Sequence, residues 1–258
     1  MVGSNVLKEK AAAGKPLVGA FVNISAAASV EVLALAGLDY VIIDTEHGPF
    51  DVNEALPLIL AAEARGIVPW VRVRATERPA LLKMLDAGAQ GLMIPYIKSV
   101  EQAESLVSWG KYRPLGDRGY GFTRSGDYGH AQVEQGGMEP FFAASNQRTL
   151  LIPQCETREC LELIESIVGI DGIDGIFVGP VDLSIALGFP GQFEHPAMLQ
   201  AFARVLKACQ QANKLCFTLA NTAEEARVKL SQGYHGVAST DLRFLSIAAA
   251  EYVQQIRR

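Results

Sequence analysis

The sequence predicts one (β/α)8 barrel over residues 1–258, an α/β fold, and three observations carry that prediction. Eight short apolar, β-branched runs alternate with longer stretches of helical period. The runs are too apolar to be half exposed, as a parallel sheet covered on its outside requires. The turn after the first run reads NISAAAS, without the glycine-rich turn that an open doubly wound sheet normally carries there. A chain of 258 residues could hold two small domains or one barrel of ~250 residues. The unbroken rhythm, free of linkers and low-complexity tracts, selects the single barrel.

In chain order the expected strands are Leu17–Ile24, Tyr40–Thr45, Val68–Val73, Gly91–Tyr96, Thr149–Gln154, Gly175–Val178, Leu215–Leu219 and Gly236–Ser239. The helical stretches between them are Ala26–Ala36, Val52–Arg65, Arg78–Ala87, Val100–Trp109, Arg158–Ile167, Pro196–Asn213 and Ala223–Gln232. Val6–Ala13 reads as a short helix before the first strand, and Leu242–Ile256 as a helix after the last. Ser99 with Gln102 and Thr222 with Glu225 fit the capping box, in which each side chain satisfies an orphan backbone donor. Gly37, Gly66, Gly88 and Gly233 stand where a helix ends on a left-handed residue.

Charge and composition exclude several classes. Twenty-three Lys+Arg against 28 Asp+Glu give a net charge of −5 with no basic block, which argues against nucleic acid or a membrane surface as partner. A 49% hydrophobic content excludes disorder. Apolar runs such as Leu58–Ala62 fall far short of the ~20 residues that span a bilayer. The opening MVGSNVLKEKAAAGK lacks the apolar stretch of a signal peptide, so a cytoplasmic protein is expected. Cys155, Cys160, Cys209 and Cys216 form no C-x-x-C pair and read as buried or semi-buried thiols of a reducing compartment.

In such barrels chemistry sits at the C-terminal ends of the strands. Strand two ends in Asp44-Thr45-Glu46-His47, and strand three carries Arg72 and Arg74, which share a face. Strand five ends in Gln154-Cys155-Glu156 and strand six in Gly179-Pro180-Val181-Asp182. Strand four offers only Pro95 and Tyr96; strands seven and eight offer Thr218, Ser239 and Asp241. Glu156 and Asp182 at one mouth would repel unless they shared a cation, and two oxygen ligands with waters or substrate oxygens suit Mg2+ or Mn2+. Asp182 reads equally as an N-cap of the run DLSIALG. His47 is either a proton shuttle or a hydrogen-bonded core residue. Arg72, or Arg74 in its place, either pairs a core carboxylate or receives an anionic substrate oxygen. Lys98 is the nearest candidate for a Schiff-base lysine, but it precedes a helix start at Ser99 and reads as solvated. TLANTAEE and ASTDLRF lack a phosphate-binding glycine loop.

DTEHGPFD, VPWVRVR, LLKMLDAGAQGLMIPYI, RPLGDRGYG, LLIPQCET and GIFVGPVDLSIALGFPGQFEHP, in this order over about residues 40 to 196, resemble the HpcH/HpaI aldolases. The resemblance implies a carbon–carbon lyase, dependent on Mg2+, Mn2+ or Co2+. Such an enzyme cleaves a 4-hydroxy-2-oxo acid (a 2-keto-3-deoxy sugar acid or a 4-hydroxy-2-oxo diacid) reversibly to pyruvate and an aldehyde. It implies metal ligation by Glu156 and Asp182, with Gln154 beside the ion, enolate stabilisation by Arg72, and acid/base work by His47 oriented by Asp86. It also implies that Asp44 lies near a subunit boundary and that the backbone of Gly179 and Pro180 lies near the pyruvate carboxylate. Its members are typically hexamers, often with the last helix exchanged. The segment Tyr120–Gly137 departs from the family's Arg/Ala-rich loop, and Arg124 within it is expected to contribute to the aldehyde pocket. Val181 stands where relatives are often smaller, which is expected to narrow the pyruvate side. Within the family, a CoA-thioester lyase and an oxaloacetate decarboxylase share the enolate chemistry, although no basic patch for a nucleotide is present. A catalytically silent 2-oxo-acid-binding barrel should have lost one member of the set, and none is lost.

Overall fold

The computed structural model describes residues 5–257, whose eight strands pair in parallel and close as β1-β2-β3-β4-β5-β6-β7-β8. They are β1 Leu17–Val22, β2 Tyr40–Asp44, β3 Val68–Arg72, β4 Gly91–Ile94, β5 Leu150–Cys155, β6 Gly175–Val178, β7 Leu215–Leu219 and β8 Gly236–Thr240. Each expected strand is present, with ends moved by two residues or fewer.

Size alternation explains how the barrel closes. Inward rows carry Leu17 and Phe21, Tyr40 and Ile42, Trp70, Met93, Ile152, Phe177 and Phe217, all buried. The large rings lie against glycines of adjacent strands. A Cβ on Gly19 would sit 2.4 Å from the Tyr40 ring, and one on Gly91 would sit 2.3 Å from Trp70. Both contacts are closer than atoms approach, so these strands begin in glycine for room. Leu7, from the helix Val6–Ala12, joins the same inner cluster. Lys111, buried below β5, donates to the Asn146 carbonyl (2.9 Å) and to Asp174 (2.9 Å), which Lys8 of that helix also reaches (2.6 Å).

The outer helices cover a second, larger core, in which all four cysteines are free and buried. Burial and mutual contact raise the Cys155 and Cys216 thiols well above their ordinary range, which makes them inert packing groups. Gly37, Gly66, Gly88 and Gly233 all have positive φ, as their helix-ending positions require. The capping boxes are half formed. Ser99 accepts from the Gln102 N–H and Thr222 from that of Glu225, but the returning side chains take the N–H of Lys98 and Asn221, one residue before each cap. The reciprocal box forms at Asp51 and Glu54 instead.

Three parts differ from expectation. Arg158–Ile167 is split into Arg158–Glu162 and Ile164–Val168. The polar stretch read as loop holds a 3-10 segment Arg124–Gly129 and helices His130–Glu134 and Met138–Arg148, the last buried mainly through Phe141. The final helix, Asp241–Ile256, buries only Asp241; Leu245 and Ile256 are about two-thirds exposed (60% and 66%). Among the described residues no helix is long and apolar enough to cross a membrane.

One titration follows from this packing. His235, between β7 and β8, accepts the Cys216 N–H on Nδ1 (3.1 Å), and burial lowers its pKa. The unfolded chain therefore binds the proton more readily, and stability falls as the pH drops through the unfolded value near 6.5. His235→Asn, which keeps an acceptor without titrating, is expected to flatten that fall by ~1 kcal/mol between pH 7 and 5 in urea titrations. An unchanged slope would refute the assignment.

Candidate active site

The two-residue alternation of the strands runs on to their C-terminal ends, where polar side chains top the inward rows. Asp44 follows Tyr40 and Ile42, Arg72 follows Val68 and Trp70, and Gln154 and Glu156 follow Leu150 and Ile152. All four are buried.

Asp44 and Arg72 are register partners across β2 and β3. Arg72 Nε donates to Asp44 Oδ1 (2.9 Å) and Nη2 to Oδ2 (2.6 Å), a fork that fixes the guanidinium plane. Nη1 lies 3.3 Å from Glu46 Oε2, and the guanidinium carbon stands 4.9 Å above the Phe21 ring. Burial would raise the Asp44 pKa, but the Arg72 hydrogen bonds and charge, with the N–H groups of His47 and Glu46, outweigh it and lower it. Burial would likewise lower the Arg72 pKa, and its carboxylate partners leave it raised. Arg74, equivalent on spacing, lies beyond the end of β3, is exposed, and stands 3.7 Å from Asp51. The expectation of Asp44 as a substrate ligand is corrected here: both its oxygens face Arg72 and the following turn, so it positions the arginine.

Glu156 is held from three sides. Oε1 accepts the Tyr96 N–H (2.7 Å) and Oε2 the Gln154 amide N–H. Tyr96 has φ +59°, a left-handed conformation that costs a bulky residue ~1–3 kcal/mol and that turns its N–H toward the carboxylate. Gly179 closes the third side, where a Cβ would lie 2.7 Å from Gln154 Nε2 and 3.0 Å from Glu156 Oε2. Burial pushes the Glu156 carboxyl up to about 7; the Tyr96 N–H opposes this, Glu46 and Asp182 add to it, and Arg72 opposes it. Gln154 Oε1 is buried and has no hydrogen-bond partner.

The helix Pro180–Leu187 starts on a proline at its first position, with Gly179 as N-cap. Asp182 therefore lies in the first turn and is not the cap, so that alternative is withdrawn. With Glu46, His47, Tyr96 and Glu156 it lines a cavity of about 340 Å³. His47 is exposed there and its imidazole makes no hydrogen bond among the described residues. Val181 is half exposed and lies outside this wall, so it does not narrow the cavity.

Glu156 and Asp182 fit a hard divalent cation. Among the described residues no three His, Cys, Asp or Glu side chains converge on one point. Two carboxylates with waters or substrate oxygens is nevertheless the usual way Mg2+ is held. The buried, mutually repelled charge of Glu156 is what such an ion neutralises, and the partnerless Gln154 Oε1 adds a further oxygen beside it.

Two expected residues are elsewhere. The helix Arg78–Ala87 runs back from the end of β3 over ~15 Å, which carries Asp86 toward the opposite end of the barrel. There it accepts from Arg118 Nη2 (3.0 Å). Arg124 donates to the Ala87 carbonyl (3.1 Å) and pairs with Glu63, in a cavity bounded by Val68, Gln90 and Thr149 at the strand starts. Within one chain, Asp86 does not orient His47 and Arg124 does not shape the pocket beside Glu156. Sequence reasoning also missed Phe21 beneath Arg72 and the buried Asp241, which accepts the N–H groups of Asn23 and Ile24 (3.0 and 2.9 Å). Phe21 has a signal in its inward row; the φ of Tyr96 has none.

Comparison with known proteins follows from this geometry. The family model described as HpcH/HpaI aldolase/citrate lyase matches residues 17–242. The chain is 32% identical over 234 residues to a 5-keto-4-deoxy-D-glucarate aldolase of Salmonella paratyphi C (91% of this chain, 89% of that one). It is 32% identical over 248 residues to a hydroxypyruvate/pyruvate aldolase of Rhizorhabdus wittichii (95% of each). A crystal structure of an HpcH/HpaI aldolase/citrate lyase family protein from Burkholderia cenocepacia superposes with TM-score 0.91 at 31% identity, covering 99% of this chain and 100% of the other.

Proposed function

This chain belongs to the HpcH/HpaI aldolase/citrate lyase family, and we propose that it is a divalent-metal-dependent aldolase that reversibly cleaves a 4-hydroxy-2-oxo acid to pyruvate and an aldehyde. The observation that carries the reading is the convergence of Arg72, Glu156, Asp182 and His47 at one barrel mouth, with Arg72 already oriented by Asp44. The similarity to two sugar-acid and oxo-acid aldolases supports the substrate class.

Glu156 and Asp182 would hold the cation, which when bound supplies Lewis acidity to the 2-oxo carbonyl. Gln154, whose amide N–H is on Glu156, offers its free oxygen to the same region. The backbone N–H groups at the start of Pro180–Leu187, those of Val181 and Asp182, are the orphan donors of a helix N-terminus and suit the pyruvate carboxylate. As the C3–C4 bond breaks, negative charge collects on the former keto oxygen. Arg72 donates to that oxygen from a position that needs no reorganisation. His47, exposed on the cavity wall, takes the proton of the C4 hydroxyl so that the aldehyde can leave.

Asp86 and Arg124 would serve a site only by reaching that of a neighbouring copy. A homohexamer accommodates this, and the uncovered apolar face of Asp241–Ile256 supports assembly.

The test is pyruvate release from 4-hydroxy-2-oxo acids with and without chelator. Release should stop on chelation and return with added Mg2+, Mn2+ or Co2+. Turnover that survives complete metal removal would overturn the metal role. Tight 2-oxo-acid binding without turnover on any aldol would make the protein a binding barrel.

A further inference from the structure

We infer that Lys98 is the specificity-determining residue of this site, its ammonium receiving the distal carboxylate of a substrate anionic at both ends, a 2-oxo diacid or its aldol. The inference rests on the proposed function for the placement of the substrate's 2-oxo-acid end near Glu156 and Arg72.

Lys98 lines the same cavity as Glu156 and Asp182. Its Nζ stands 4.5 Å from the centroid of the Tyr96 ring and 3.4 Å from Glu159 Oε1. Tyr96 thus does two things. Its N–H holds Glu156, and its ring carries the lysine, so the left-handed backbone that aims the one also sets the other. The root of the lysine is tied as well: the Lys98 N–H donates to Gln102 Oε1 (2.8 Å), next to the Ser99 cap.

The charges of the wall make this position decisive. Glu46, Glu156, Glu159 and Asp182 are all carboxylates, and a bound divalent cation answers only the 2-oxo-acid end of a substrate. A second carboxylate near the rim would be repelled by every acidic wall residue. Arg72 is not free to receive it, because the guanidinium is buried and held by Asp44 and Glu46. Lys98 is the one Lys or Arg side chain among the described residues of that wall.

Its resting partner is easily exchanged. Both side chains of the Lys98–Glu159 pair are well exposed, and exposed ion pairs contribute little. A substrate carboxylate can replace Glu159 at small cost, while Glu159 keeps the ammonium at the rim when no substrate is present. The sequence reading of Lys98 as a solvated lysine stands, and what the fold adds is which cavity it borders.

The test compares 2-oxoglutarate with 2-oxovalerate, equal in length and differing in a terminal carboxylate against a methyl. Calorimetric titration of the full chain in Mg2+ buffer should give about tenfold tighter binding of 2-oxoglutarate, as expected for one charge-assisted contact. Lys98→Gln should erase that ratio, Lys98→Arg should keep it, and Glu159→Gln should widen it. High salt should narrow it. Equal affinities in the wild-type protein, or a ratio untouched by Lys98→Gln, would overturn the inference. Binding of 2-oxovalerate to Lys98→Gln reports that the variant is folded. Failure of the aldolase reading is a separate result, seen as absent pyruvate release while the binding ratio holds.

Discussion

Glu156→Gln is expected to lower pyruvate release by about a thousandfold, while the metal-free protein loses no thermal stability. The loss follows from removing one of two cation-holding carboxylates, since a Lewis acid supplies several kcal/mol to the transition state and each ~1.4 kcal/mol is tenfold in rate. The fold should tolerate the change. A glutamine oxygen can still accept the Tyr96 N–H, and the Gln154 amide can turn so that its partnerless Oε1 accepts from the new NH2 group. Relief of a buried charge repelled by Glu46 and Asp182 acts in the stabilising direction. Melting curves of the chelated protein, set beside turnover and a Mn2+ titration, separate the two effects. A variant with wild-type turnover would show that Glu156 holds no catalytic cation. One that melts well below the wild type would show that the carboxylate is structural.

Arg72 should give the opposite pairing, with rate and stability falling together. Arg72→Met leaves Asp44 buried with neither of its two guanidinium donors, and an unpaired buried charge costs ~3–5 kcal/mol. Arg72→Lys keeps the charge but cannot span both Asp44 oxygens, so the ammonium is not held over Phe21 in the same plane. For the lysine variant kcat should fall ~100- to 1000-fold, the usual cost of one preorganised donor to a developing oxyanion, with a smaller change in KM. Asp44→Asn should resemble it in kcat, because the asparagine loses one acceptor of the fork. Steady-state kinetics of the three variants with chemical melts decide the matter. If Arg72→Lys retained kcat and lost only stability, the arginine would be a core ion pair and nothing more.

Much of this was legible in the chain. Eight strands, the two-residue rows that lift Asp44, Arg72, Gln154 and Glu156 to one end, and the glycine stops of the helices all follow from local periodicity and from what each residue type permits. Sequence spacing left Arg72 and Arg74 equivalent, and Asp182 as cap or ligand. These were decided by where β3 ends and by Pro180 opening its helix. Asp86 and Arg124 failed as same-chain site residues for a related reason: a helix of ten residues after β3 crosses the barrel, and periodicity does not say which end a side chain reaches.

By itself, then, the sequence determined the barrel, its inward rows and the residue types available at the strand ends, because these depend on neighbours a few positions apart. Tertiary structure alone decided the pairing of Arg72 with Asp44, the left-handed Tyr96 beneath both Glu156 and Lys98, and the bare face of the last helix. Those depend on burial and charge shared between segments distant in the chain, where energies are set by contacts that no local pattern records.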